Sequence, residues 1–492
     1  MAQDRPDKQT TTRRIGGTLG IFLVVWAVAV MPRLQGMSGE EQTWTFILYG
    51  LCCTPTLLFL GGHHARIPFM PFWGMGYFLT FSPTTLTREQ FATVIGVFPI
   101  EVIVASLSLT TIGGFVCLIM FYSPLGKFAE ITIPRNRSSW GERRVPQIGL
   151  TFLIVGIVAQ YVIATTNIAT AWAQIALLTS HVGTAGALCL FLLQLRRQLS
   201  SQLRWLLWGV FVPVRLLLAL QSGVVYQVID VLIPFLLLYS AERRRVPWQA
   251  IVILGMFLIP VAGVKHEYRQ SAWYGQQTEV AASGSVFRKG LAFIELVVKR
   301  LAEGGTETVT SQSEVTQSRA SQLETLAVVI DTTPTVIPFW DGETYADLLW
   351  TPFPRFLFPN KPLKLLGQTF GHRYGFLDED DLSTTMNLPH QVVEMYSNFG
   401  VLGVIVGMAL VGCLYRALMA LVADPNAGER ELIMGCTLFS LLVSTIELDF
   451  SMVFGGVVQF IVFMAFALRS LGPAAPGRPA PAWPSRAQTL LR

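Results

Sequence analysis

The chain has 492 residues, of which 52% are hydrophobic and 14% charged, with a mean hydropathy of +0.50. Soluble globular domains carry roughly 25% charged residues, so a water-soluble enzyme is excluded and an all-α polytopic membrane protein is predicted. The net charge of +5 is too small for a nucleic-acid footprint, and its one-sided placement reads as a topology signal.

The first apolar run, about 15–31, follows Arg5, Lys8, Arg13 and Arg14. Its length and the lack of a small-residue cleavage pattern predict an uncleaved helix with the N-terminus in the cytoplasm. Runs at about 45–60 and 67–81 follow; the latter carries Pro68 and Pro71 and reads as a kinked span or a re-entrant segment. The run 91–122 exceeds one perpendicular span, which predicts a tilted or interfacial start. Spans at about 148–164, 171–193, 205–220, 224–239 and 248–264 complete the N-terminal part, and three more, at 399–421, 432–446 and 452–468, close the chain. Basic clusters at Lys127 to Arg144, Arg196 to Arg204 and Arg243 to Arg245 all fall on one side when about twelve spans are counted, which makes that side cytoplasmic. The expected organisation is therefore nine spans in 1–264, one large outer loop in 265–397, three spans in 398–470, and a disordered Pro/Ala-rich cytoplasmic tail in 471–492.

Few ionisable groups lie in the apolar runs: Glu101, His181, Arg215 and Asp230, with Glu447 and Asp449 near a helix end. Each costs about 2.5 to 3.5 kcal/mol at the centre of a span on insertion scales and needs a reason to be there. Arg215 and Asp230 flank the Gln221-Ser-Gly223 turn and either neutralise each other or let Arg215 reach an anionic ligand beneath the long loop. The six cysteines all sit in apolar runs and read as core or lipid-facing residues.

Within the long loop, Arg355 and Lys361 are set among Pro352, Pro354, Pro359 and Pro362, so an extended, stiff segment is expected. A guanidinium held beside an ammonium suits a diphosphate, or else snorkelling contact with lipid headgroups. His390 and Glu394 are four apart at a helix start, so they can share one face and let the carboxylate orient an imidazole acting as general base, or simply form a helix-start pair. His372 and Arg373 read as a satisfied surface pair, and the acidic run 378–381 as a solvated loop rather than a metal site. The stretch 287–302 has apolar residues at helical spacing and cations at its ends, as a helix lying on the membrane surface would. No phosphate-cradling Gly-Lys loop, dinucleotide fingerprint or Gly-x-Ser-x-Gly elbow occurs, and neither a metal nor a cofactor is expected.

Several elements together resemble bacterial oligosaccharide repeat-unit polymerases, the Wzy-type membrane glycosyltransferases. They are Ser318-Arg319, Val328-Val-Ile-Asp-Thr-Thr-Pro334, Pro338-Phe-Trp-Asp-Gly342-Glu-Thr-Tyr345, Pro354-Arg355 with Pro359-Asn-Lys-Pro362, and Glu394-Met-Tyr-Ser-Asn-Phe-Gly400. The resemblance covers roughly residues 205–420 and implies a metal-independent transferase at the outer face of the bacterial inner membrane, with both termini cytoplasmic. Its implied partners are undecaprenyl-diphosphate-linked oligosaccharides, membrane lipids and a chain-length regulator. It implies that Arg355 and Lys361, assisted by Arg319 and Arg373, stabilise the departing diphosphate while His390 or Glu394 activates the acceptor hydroxyl. The histidine near the loop's end followed by Gly400-Val-Leu-Gly403 is also similar to O-antigen ligases, which use a lipid A core acceptor. A flippase or transporter working through Arg215 and Asp230 is the non-enzymatic alternative.

Overall fold

The computed structural model describes residues 8–61, 66–85, 97–131, 144–165, 170–223, 225–243, 247–272, 286–302, 321–353, 355, 357–358, 361, 366–381, 389–423, 428–444 and 448–471. Helices dominate and no strand occurs among the described residues. In chain order they are α1 (Lys8–Val25), α2 (Gly39–Leu60), α3 (Phe69–Phe81), α4 (Ile100–Tyr122), α5 (Val145–Thr165), α6 (Thr170–Leu195), α7 (Ser201–Leu220, with a π-helical stretch at Leu206–Phe211), α8 (Val225–Arg243) and α9 (Trp248–Ala272). After them come α10 (Val286–Ala302), α11 (Leu323–Thr332), α12 (Leu366–Arg373), α13 (Gln391–Val422), α14 (Glu429–Ser444) and α15 (Phe450–Leu468).

Eight of the helices are long and apolar enough to cross a membrane: α1 with its continuation to Leu34, α2, α4, α5, α6, α7, α13 and α15. Their outward residues are apolar, such as Ile154, Val155 and Val158 on α5 and Val462 and Phe466 on α15, which only a hydrocarbon surround accommodates over so wide an area. The proline-bearing stretch 67–81 is one short helix, since Pro68 is the N-cap of α3 and Pro71 lies in its first turn, where no intrahelical N–H is needed. Its Phe69, Trp73, Tyr77 and Phe81 are buried between α2, α4, α13 and α14.

Ion pairs mark one end of the bundle. Arg196 after α6 donates to Glu242 of α8 and Glu429 of α14, both at 3.0 Å, and Arg416 of α13 meets Glu130 at 2.6 Å. The opposite end gathers the start of α4, the end of α3, α11, and the starts of α13 and α15. Across it, α10 seats Phe293 on Tyr268 of α9 and pairs Arg300 with Glu267 at 2.8 Å. Its other side exposes Phe287, Leu291, Ile294 and Val298 at helical spacing.

Candidate active site

The start of α13 is the organising element. Pro389 and His390 precede it, and the His390 Nδ1 accepts from the backbone N–H of Val392 at 3.1 Å, so the imidazole is the helix N-cap. Phe81 and Tyr77 of α3 enclose the ring edge-on, with centroids at 4.8 and 5.7 Å. The His390 backbone N–H donates to Gln322 Oε1, while Gln322 N–H donates to Thr80 O at 2.8 Å, which locks α3, α11 and α13 together. Burial pushes the imidazole down to about 3 and so keeps it neutral. With Nδ1 held as an acceptor the remaining proton sits on Nε2, leaving no basic nitrogen for an acceptor hydroxyl. The geometry gives His390 the work of a cap.

A cap role makes a specific prediction. Asn caps helices as well as any residue, so His390→Asn should retain the folded protein and most activity, whereas His390→Ala should lose about 1 kcal/mol of stability. Because the folded-state pKa lies below the unfolded value of about 6.5, the unfolded chain binds the extra proton between pH 6.5 and 3. Stability should therefore fall as the pH drops through that window. Thermal unfolding midpoints against pH, compared between wild type and His390→Asn, check this; the variant should show the shallower fall.

Glu394 lies one turn into α13 and is fully buried. Its Oε2 accepts from Phe450 N at 2.8 Å, at the start of α15, rather than meeting the His390 ring. The shared face expected for the pair is thus not used for a side-chain contact: a capping side chain folds back over the helix end, while Glu394 turns across to α15. Asp449 is buried alongside as the N-cap of α15, its Oδ1 accepting from Met452 N at 3.1 Å. Two carboxylates thus serve the positive end of one helix. Tyr345 faces both acids, and burial together with the Glu394 and Asp449 charges pushes its phenol well above the usual range.

Asn398 binds the segment 340–345 to α13. Its Oδ1 accepts from Gly342 N at 2.9 Å, and its Nδ2 donates to Thr344 Oγ1 and to Glu394 O, both at 2.8 Å. Trp340 N–H donates to Ser397 O at 3.0 Å. Arg373, at the end of α12, lies over the Trp340 ring at 4.0 Å and donates to Pro338 O at 2.8 Å. Its Nε is shielded from solvent and has no hydrogen-bond partner among the described residues. His372 Nε2 meets Asp381 O at 2.9 Å, so both residues are engaged, each with its own partner, and Arg373 is built into the wall that carries Asn398 and Tyr345.

The other expected cations are employed differently. Lys361 Nζ donates to Thr351 O at 3.3 Å and Phe353 O at 3.1 Å, and Arg355 donates to Lys361 O. Among the described residues of the segment both cations close on backbone carbonyls, while Pro354, Pro359 and Pro362, on which the expected stiffness rests, lie outside the described residues. Arg215 is buried on α7, with guanidinium bonds to Ser180 O at 3.4 Å and Thr184 Oγ1 at 3.2 Å on α6. Among the described residues no salt bridge joins it to Asp230, but the two charges lie near enough to attract each other, as the mutual-neutralisation alternative expects. Arg319 and Glu447 lie outside the described residues.

Trp340, Tyr345, Asn398 and Asp449 were not singled out as site residues by sequence reasoning. Asp449 had a readable signal, an acid directly before an apolar run; the others stand within the elements that carry the polymerase resemblance. No curated protein and no solved structure matches the chain. Residues 135–469, which include every part of this site after α4, match the family described as Domain of unknown function (DUF8712), and because the match covers well over half of the chain, the protein belongs to that family.

Proposed function

We propose that the protein is a membrane glycosyltransferase that polymerises lipid-diphosphate-linked oligosaccharide repeat units at the outer face of a bacterial inner membrane. In this reading the four further apolar helices α3, α8, α9 and α14 join the eight long ones to make about twelve passes, and the end bearing Glu394 faces outward. The anomeric carbon–oxygen bond to the diphosphate breaks, an acceptor sugar hydroxyl forms the new glycosidic bond, its proton passes to Glu394, and the lipid diphosphate leaves as an anion. Arg373, seated on Trp340 with a spare donor, offers charge to the leaving group. Arg319 assists, and Arg355 and Lys361 act from the neighbouring turn. His390 holds the start of α13 in place rather than taking the proton.

One observation carries the reading. Elements far apart in the sequence, 338–345 and 394–400, are two of the five on which the polymerase resemblance rests, and they close on each other beside the buried carboxylates of Glu394 and Asp449. A transporter would instead place its decisive groups near the bilayer midplane.

The test is chain extension by the purified protein in lipid vesicles supplied with lipid-linked repeat units alone. Ladders of increasing length are expected. Transfer only when a lipid A core acceptor is added would make the protein a ligase, and movement of the lipid-linked unit without any new glycosidic bond would remove the enzymatic reading.

A further inference from the structure

Arg355 and Lys361 lie on a segment whose outward side chains are apolar. Leu349 is 80% exposed and Leu357 59%, with Trp350 at 44%, Phe353 at 47% and Phe358 at 39%. The three aromatic rings form one cluster, with centroids 5.4 to 6.5 Å apart. In water so dense a patch is unfavourable and promotes association.

The segment is pressed along α15. Gln459 Nε2 donates to Thr351 O, and a Cβ on Gly455 would come within 2.5 Å of Thr351 Cβ, so only glycine lets the backbone approach this closely. Gly455 and Gln459 are about 7.5 and 13.5 Å along the helix from Phe450 at 1.5 Å per residue. The segment therefore runs beside a helix that is long and apolar enough to cross a membrane and that exposes Met452, Val462 and Phe466. The apolar tip flanks Thr351, the residue packed against that helix.

Its backbone is also arranged for life outside water. Thr351 O is served by Gln459 and by Lys361 Nζ, Phe353 O by Lys361 Nζ, Lys361 O by Arg355, Leu348 O by the Thr351 hydroxyl and Trp350 O by Phe353 N–H. Pro352 and Pro354 carry no N–H to satisfy. Non-helical backbone is tolerated at membrane depth only when its polar groups are met internally, each unmet group costing several kcal/mol. Two long cations folded back onto carbonyls, with apolar rings turned outward, invert the arrangement of a water-facing loop.

We infer that residues 349–353, with Leu357 and Phe358, form a wedge inserted among the phospholipids at the interface beside α15, with its aromatic cluster in the lipid and Arg355 and Lys361 serving as internal caps of its carbonyls. The wedge stands independently of the transferase reading. It makes the cations part of a membrane anchor bordering the site, so that removing them should loosen the segment before it alters any phosphate contact.

A test uses the full chain in vesicles of phosphatidylethanolamine and phosphatidylglycerol. Leu357→Cys and Phe353→Cys are each labelled with an environment-sensitive nitrobenzoxadiazole dye, and Asp380→Cys, at an exposed position, serves as the water-facing control. Five native cysteines are buried and Cys53 is half-buried, so unsubstituted protein supplies the background. At positions 353 and 357 we expect blue-shifted emission, quenching by nitroxide-bearing lipids several-fold stronger than at 380, and iodide quenching several-fold weaker. Iodide quenching equal to that of the control would overturn the inference, as would protection from both quenchers, which would mean that protein covers the face. Leu357→Cys decides the matter alone if Phe353→Cys disturbs the ring cluster.

Discussion

Glu394→Gln should abolish transfer while leaving the amount of folded protein in the membrane unchanged. The amide carbonyl of glutamine can still accept from Phe450 N, the bond that Glu394 Oε2 makes at 2.8 Å, so the α13–α15 junction survives. What disappears is the ability to take a proton, and removing a general base lowers rates by about 10²- to 10⁴-fold. Glu394→Ala should do more, since it also leaves a donor at the start of α15 without its buried acceptor, at a cost of about 1 to 3 kcal/mol. Chain extension with lipid-linked repeat units, measured beside membrane abundance and thermal stability, separates the two variants. Near-normal extension by Glu394→Gln would reduce Glu394 to a structural tie between helices, and Asp449 would become the next acid to test.

The helices were legible because hydrocarbon imposes long apolar runs, and each of the expected runs falls on a helix. Boundaries are set by backbone chemistry: within 91–122 one helix starts at Ile100, directly after Pro99, while 91–96, where a tilted or interfacial start is expected, lie outside the described residues, and the prolines at 68 and 71 begin α3 instead of bending it. The candidate site was half legible. The motif elements named the segments that meet, but not their partners, because most of those partners are backbone atoms. Lys361 and Arg355 look like ligand-binding cations in sequence, and nothing in their spacing reveals that the carbonyls of Thr351, Phe353 and Lys361 receive them. His390 and Glu394 failed the shared-face expectation for a related reason. A four-residue spacing aligns side chains only when both residues are inside the helix, and His390 stands just before it, with ψ 154°.

The break between Phe399 and Gly400 should be the least replaceable piece of backbone near the site. Gly400 has φ +61° and ψ −149°, and Phe399 has φ −139° and ψ 17°; the glycine occupies a region essentially closed to other residues, worth about 1 to 3 kcal/mol of strain for any side chain. A Cβ there would also press on the Phe339 ring at 3.3 Å. The deviation swings Phe399 out of the helix to stack on Tyr345, with centroids 6.3 Å apart and planes 15° apart, and sets Asn398 where it reaches Gly342 and Thr344. Gly400→Ala should therefore lower the thermal midpoint in detergent and lose most chain extension, because straightening α13 withdraws both contacts from the wall facing Glu394. Asn398→Ala should resemble it, leaving buried donors and acceptors of segment 342–344 unmet at about 1 to 3 kcal/mol. Gly456→Ala provides the control, since a Cβ at Gly456 meets nothing within 4 Å and alanine favours the helix. Equal stability and extension in Gly400→Ala and Gly456→Ala would mean that the segment 340–345 holds its place without the break, and that the proton acceptor must be sought in a part of the loop that α13 does not position.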